Sequence, residues 1–104
     1  MLSGIAGLEW DRGNREKCQK HGVTLAAIES LFDRPVAVFP DPAHSTAEKR
    51  FKAIGRADDG RAILIVFTLR TQEDSEFIRP VSARYMHRKE VAYYEKAIAR
   101  TEDR

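Results

Sequence analysis

The stretch Asp58-Asp59-Gly60-Arg61-Ala62-Ile63-Leu64-Ile65-Val66-Phe67-Thr68-Leu69-Arg70 decides the fold. Asp59-Gly60 suits the positive φ angles that a tight hairpin demands, so the stretch opens on a turn. Arg61 to Leu69 is then the best strand in the chain. Ile63, Ile65, Phe67 and Leu69 share one face, and Leu64, Val66, Thr68 and Arg70 share the other. Both faces are apolar at the start, so the strand is central; the second turns polar at Thr68 and Arg70.

The neighbours of this strand read as more sheet. Upstream, Lys49 to Gly55 alternates imperfectly, Val36 to Phe39 is a short β run, and Pro40-Asp41-Pro42 is a loop. Downstream, Thr71 to Ser75 is a polar turn and Glu76 to Ser82 a fourth strand. Pro80 brings no N–H donor to that strand, so it belongs near an edge or a bulge.

Helices flank the strands. Asp11 is a good N-cap for a polar helix over Arg12 to His21, and Gly22 a good residue to end it. Gly13 weakens its first turn, and Trp10 and Cys18 are its apolar contacts with the sheet. Thr24 caps a second helix whose Leu25, Ile28, Leu31 and Phe32 form one apolar face, and Pro35 stops it. His87 to Arg100 is a third, with Val91, Tyr94 and Ile98 on one face. The order α-α-β-β-β-β-α predicts an α+β domain with two N-terminal helices, a four-stranded antiparallel sheet and a C-terminal helix.

The 104 residues suit a single domain over 1–104, and 42% hydrophobic with 33% charged residues is a globular balance. One cysteine, Cys18, excludes a disulfide framework and fits a reducing compartment. No apolar run approaches the roughly 20 residues of a membrane helix, and Met1 to Leu8 lacks the basic start of a signal peptide. Cytoplasm is the expected location. Eighteen basic residues against 16 acidic give a net charge of only +2. Between Arg79 and Arg100, however, Arg79, Arg84, Arg88, Lys89, Lys96 and Arg100 face only Glu90 and Glu95, a stretch able to attract a polyanion.

Motif chemistry is mostly excluded. The chain has no phosphate-binding glycine loop, no dinucleotide fingerprint, no HExxH and no serine in a nucleophile elbow. Cys18 and His21 are three apart, and His44 and His87 complete the histidines, but zinc sites usually show two close pairs, so no metal or cofactor is expected. The arginines say more. Arg70 ends one strand, Arg79 lies inside the next on the face of Phe77 and Val81, and Arg84 follows just beyond. A guanidinium at Arg79 must pair with a carboxylate, Glu48 or Glu76, or meet an anion such as a phosphate.

Taken in order, a set of short motifs resembles the BrnT family of bacterial toxins within the RelE-like ribonuclease group. They are Leu8-Glu9-Trp10-Asp11, Lys20-His21-Gly22-Val23, Phe32-Asp33-Arg34-Pro35, Asp41-Pro42-Ala43-His44-Ser45 and Glu48-Lys49-Arg50. Ile54-Gly55, Gly60-Arg61, Val66-Phe67-Thr68 and Val81-Ser82-Ala83-Arg84 continue the set. The resemblance covers about residues 8 to 95. It implies a RelE-like sheet flanked by helices and an RNA-cleaving toxin. It also implies a BrnA-like antitoxin with a ribbon-helix-helix part, a two-plus-two complex, and operator DNA bound only through that antitoxin.

Metal-independent RNA cleavage uses the substrate's own 2′-OH and needs a base, cations for the phosphate, and an acid for the departing oxygen. On this reading Arg70, Arg79 and Arg84 clamp the phosphate, with Arg88 on the same RNA-binding surface. His21 or Glu48 is the base, Lys20 adds positive field, and His87, Tyr85 or Tyr93 supplies the acid. The rival reading is a non-catalytic module that binds nucleic acid or an acidic protein.

Overall fold

A computed structural model describes residues 4–102, with His44 and residues 100–102 described by backbone alone. The side chains of His44 and Arg100, and residues 1–3 and 103–104, lie outside the described residues. The elements run β1 Ile5–Leu8, α1 Arg12–Gln19, α2 Leu25–Phe32, β2 Ala37–Pro40, β3 Phe51–Arg56, β4 Ala62–Gln72, β5 Ser75–Tyr85 and α3 Arg88–Glu102, with a 3₁₀ turn over Pro42–His44. Among the described residues, no helix is long and apolar enough to cross a membrane.

The sheet has five strands in the order β1-β5-β4-β3-β2, and β4 is its middle strand as expected. The expectation of four antiparallel strands is corrected: β1 adds a fifth, and it runs parallel to β5. Four residues interrupted by Gly7 carry too little alternation to announce a strand; β1 exists because β5 offers an edge to pair with. The last hairpin is also tighter and longer than its sequence suggests. Glu73 and Asp74 both adopt left-handed φ, 49° and 69°, so Gln72 pairs directly with Ser75 and both strands gain length.

Helix ends follow their signals. Asp11 accepts from the Asn14 N–H at 3.0 Å while the Asn14 side chain accepts from the Asp11 N–H at 2.7 Å, a reciprocal cap. Thr24 caps α2 through the Ala27 N–H at 3.1 Å. Gly22, at φ +87°, turns the chain between the helices. α1 stops two residues earlier than the sequence suggests, at Gln19.

One sheet face carries Ile63, Ile65 and Phe67 against Cys18 of α1 and Ile28, Leu31 and Phe32 of α2, all essentially inaccessible. Phe67 stacks on Phe51 at 5.5 Å and meets Phe32 edge-on at 5.7 Å. Leu69, assigned to this core by alternation, is 38% exposed because β4 runs on past the helices. On the opposite face Ile54, Leu64 and Val66 form a smaller cluster, covered by Phe39, Val81, Met86 and Tyr94. The rest of that second face stays open beside α3.

Candidate functional site

A β-bulge decides which arginines share the open face. In β4–β5 pairing, Val66 faces Ser82 but Phe67 faces Pro80, so Val81 is an extra residue. Strict alternation would set Arg79 and Arg84 on opposite faces. The bulge shifts the register, and Arg79 stands opposite Thr68 while Arg84 stands opposite Leu64, both on the face of β4 opposite the one that carries Ile63, Ile65 and Phe67. Pro80 sits at this irregularity, as its missing donor suggested, and its carbonyl accepts from Asn14 Nδ2 at 2.9 Å. That bond also seats α1 along β5 beyond the end of β1.

Two adjoining clefts open on this face. The first, about 350 Å³, is lined by Lys17, Arg50, Arg70 and Arg79 around Glu48, with Asn14 and Val81. Arg70 Nη2 lies 3.2 Å from Glu48 Oε2, and Arg50 Nη2 lies 3.8 Å from Oε1, so the carboxylate is held between two guanidinium groups. Arg50 Nε is buried without a hydrogen-bond partner among the described residues. The second cleft, about 320 Å³, is lined by His21, Asp41, Lys52, Leu64, Val66, Ser82, Arg84, Glu90 and Tyr94.

The arginines are not free forks. Arg79 reaches Glu9 at 3.0 Å and Asp11 at 2.8 Å, and not Glu48 or Glu76. Burial opposes its charge, but the bonds it donates to Asp11 and Glu9 outweigh that and hold its pKa above the usual value. Asp11 lies below the ordinary carboxyl range because the Asn14 N–H and then Arg79 favour its anion. Arg84 is gripped by both oxygens of Glu90, at 2.7 and 2.6 Å. That fork holds the Glu90 carboxyl down at about 2 and raises Arg84 in turn. Glu90 also accepts the His87 N–H at 3.2 Å, which ties the start of α3 to β5.

The sequence-predicted residues therefore divide. Arg70, Arg79 and Glu48 meet in the first cleft; His21 and Arg84 meet in the second. Lys20 ends α1, exposed, and His87, Arg88 and Tyr93 are exposed at or on α3; none of the four lines either cleft. Tyr85 is on the other face, paired with Ile63, its ring under the Arg61 guanidinium at 3.4 Å. Cys18 is sealed in the core, where burial pushes its thiol up to about 11, so it does not share a site with the exposed His21.

Arg50, Lys52 and Asp41 were not singled out as site residues. The signal was present in Arg50-Phe51-Lys52-Ala53-Ile54: Phe51 and Ala53 take the helix-covered face, which sends the two cations to the open one. Asp41, 1% exposed, lies 3.9 Å from Lys52, and Lys52 Nζ lies 3.4 Å from the Tyr94 hydroxyl. Nothing local marks a buried loop aspartate; only the approach of β3 and α3 does.

A family model for the ribonuclease toxin BrnT of type II toxin-antitoxin systems matches residues 10–90 of the chain. No curated protein matches it.

Proposed function

The chain belongs to the BrnT family of type II toxin-antitoxin ribonuclease toxins, and on that premise we propose that it cleaves RNA in the Arg70–Glu48 cleft by attack of the substrate's 2′-OH. The observation that carries this reading is the charge of that cleft: Lys17, Arg50, Arg70 and Arg79 line it against one lining carboxylate. A phosphodiester is a fitting counterion, and guanidinium groups match its oxygens in pairs.

Glu48 is the base. Its carboxylate takes the 2′-OH proton, the 2′ oxygen bonds to phosphorus, and the bond from phosphorus to the 5′ oxygen breaks. Arg70 and Arg50, already beside Glu48, turn to the charge that grows on the phosphate. His21, which lines the neighbouring cleft, supplies the proton the 5′ oxygen takes. The products are a 2′,3′-cyclic phosphate and a 5′-OH, and no metal enters the step. Arg79, held by two carboxylates, fixes β5 against the β1–α1 corner and lends positive field.

A toxin of this class has an antitoxin partner. We assign it the BrnA type, with a ribbon-helix-helix part, a two-plus-two assembly, repression of the operon through the antitoxin's DNA contacts, and a cytoplasmic, RelE-like setting. The engagement of Arg70, Arg79 and Arg84 by carboxylates favours the second reading, a non-catalytic module that binds nucleic acid or an acidic protein. One experiment separates the two. Purified protein is incubated with RNA, with and without EDTA, and the ends are analysed. Cyclic-phosphate fragments in both arms support the nuclease, and their loss in Glu48→Gln supports the base. Salt-sensitive binding with intact RNA supports the module.

A further inference from the structure

We propose that the second cleft is a seat for one nucleobase, flanking the phosphate held in the first; the assignment rests on the nuclease reading. The two clefts differ in charge. In the first, Lys17, Arg50 and Arg70 face Glu48 while Arg79 is already matched by Glu9 and Asp11; in the second, Lys52 and Arg84 are matched by Asp41 and Glu90 beside His21. A balanced cleft offers little to a second phosphate. It suits a neutral, polar heterocycle.

Its walls fit a base. The half-buried Tyr94 ring is the wall a flat ring can lie on, over a floor of Leu64 and Val66 of which only an edge is exposed. Lys52 is held from two sides, by Asp41 at 3.9 Å and the Tyr94 hydroxyl at 3.4 Å, so its ammonium is already ordered as a donor. Ser82 adds a hydroxyl. Donors around an apolar floor read acceptors on a base edge, and guanine, with O6 and N7 side by side, offers lysine the best pair. The volume of about 320 Å³ is at the small end for ligand pockets.

The spacing fits one nucleotide step. Val81 borders the first cleft and Ser82 the second on β5; Arg50 and Lys52 do the same at β3, across β4 from it. Arg50 and Lys52 are two residue steps apart in extended chain, about 7 Å.

The test uses 2′-O-methyl tetranucleotides, which cannot be cleaved, carrying guanine or an abasic sugar beside the central phosphate. Titration of the purified chain is expected to show at least about tenfold weaker binding of the abasic probe. Lys52→Met should erase most of the guanine advantage, and Ser82→Phe, which fills the cleft, should do the same; circular dichroism checks that both variants fold. Because the abasic comparison uses the unaltered protein, it stands without either variant. Equal binding of both probes, with binding still lost in Arg70→Ala, overturns the base seat and leaves the phosphate seat standing. Binding that ignores both the base and Arg70→Ala overturns both.

Discussion

Replacing Glu90 by glutamine tests the joint between α3 and the sheet. Both Glu90 oxygens sit on Arg84, at 2.7 and 2.6 Å, and the same carboxylate takes the His87 N–H. Its pKa falls from 4.5 to about 2 in the folded chain, an interaction worth at most about 3 kcal/mol. The Arg84 side chain is 41% exposed, so water screens the pair, and about 1–2 kcal/mol is expected at pH 7. That corresponds to a melting temperature lower by about 5–15 °C. The pH dependence is more diagnostic. Between about 4.5 and 2 the unfolded chain carries the Glu90 proton and the folded chain does not, so the contribution is full above about pH 5 and lost as pH falls toward 2. Thermal melts of both proteins followed by circular dichroism should therefore converge on acidification, with about two-fifths of the difference gone by pH 3.5. A variant as stable as the parent at pH 7, or a deficit unchanged between pH 7 and pH 3.5, refutes the reasoning.

Arg70→Ala should cut RNA cleavage by at least about a hundredfold while costing under about 1 kcal/mol of stability, since its bridge to Glu48 is half exposed; a quenched-fluorophore RNA assay beside a urea melt reads both. Glu48→Gln should lower cleavage by about 10²- to 10⁴-fold and leave RNA binding intact, measured by gel shift. Gly55→Ala places a methyl group 2.9 Å from Leu31 Cδ1, and Leu31 is 1% exposed with little room to yield, so unfolding in urea should show a loss of about 1–3 kcal/mol. Asn14→Ala keeps the Asp11 cap but removes the side-chain oxygen that accepts the Asp11 N–H and the two bonds its amide donates to the carbonyls of Glu9 and Pro80, each 2.9 Å, and should cost about 2–3 kcal/mol in the same assay.

Local chemistry explains what was readable in advance. Asp11, Thr24, Gly22 and Gly60 act through their own backbone neighbours, so the helix starts and the turns fall where these residues stand. Ala62 to Phe67 is apolar on both faces whatever surrounds it, and that makes β4 the middle strand. β1 was not readable, because a four-residue strand is defined by the edge it joins.

The site divides in the same way. The sequence by itself named Arg70, Arg79, Arg84, Glu48 and His21 as charged groups whose types suit RNA cleavage, and its ordered motifs carry the family. Tertiary structure alone decided which of them meet. The extra residue at Val81 turns Arg79 to the face of Arg84, the approach of α3 sets Glu90 on Arg84, and the approach of Glu48 to Arg50 and Arg70 completes the cationic cleft. A residue's charge is a property of its own side chain; the sign and balance of a cleft is a sum over segments far apart in the chain, fixed only when strand register and helix packing bring them within a few ångströms.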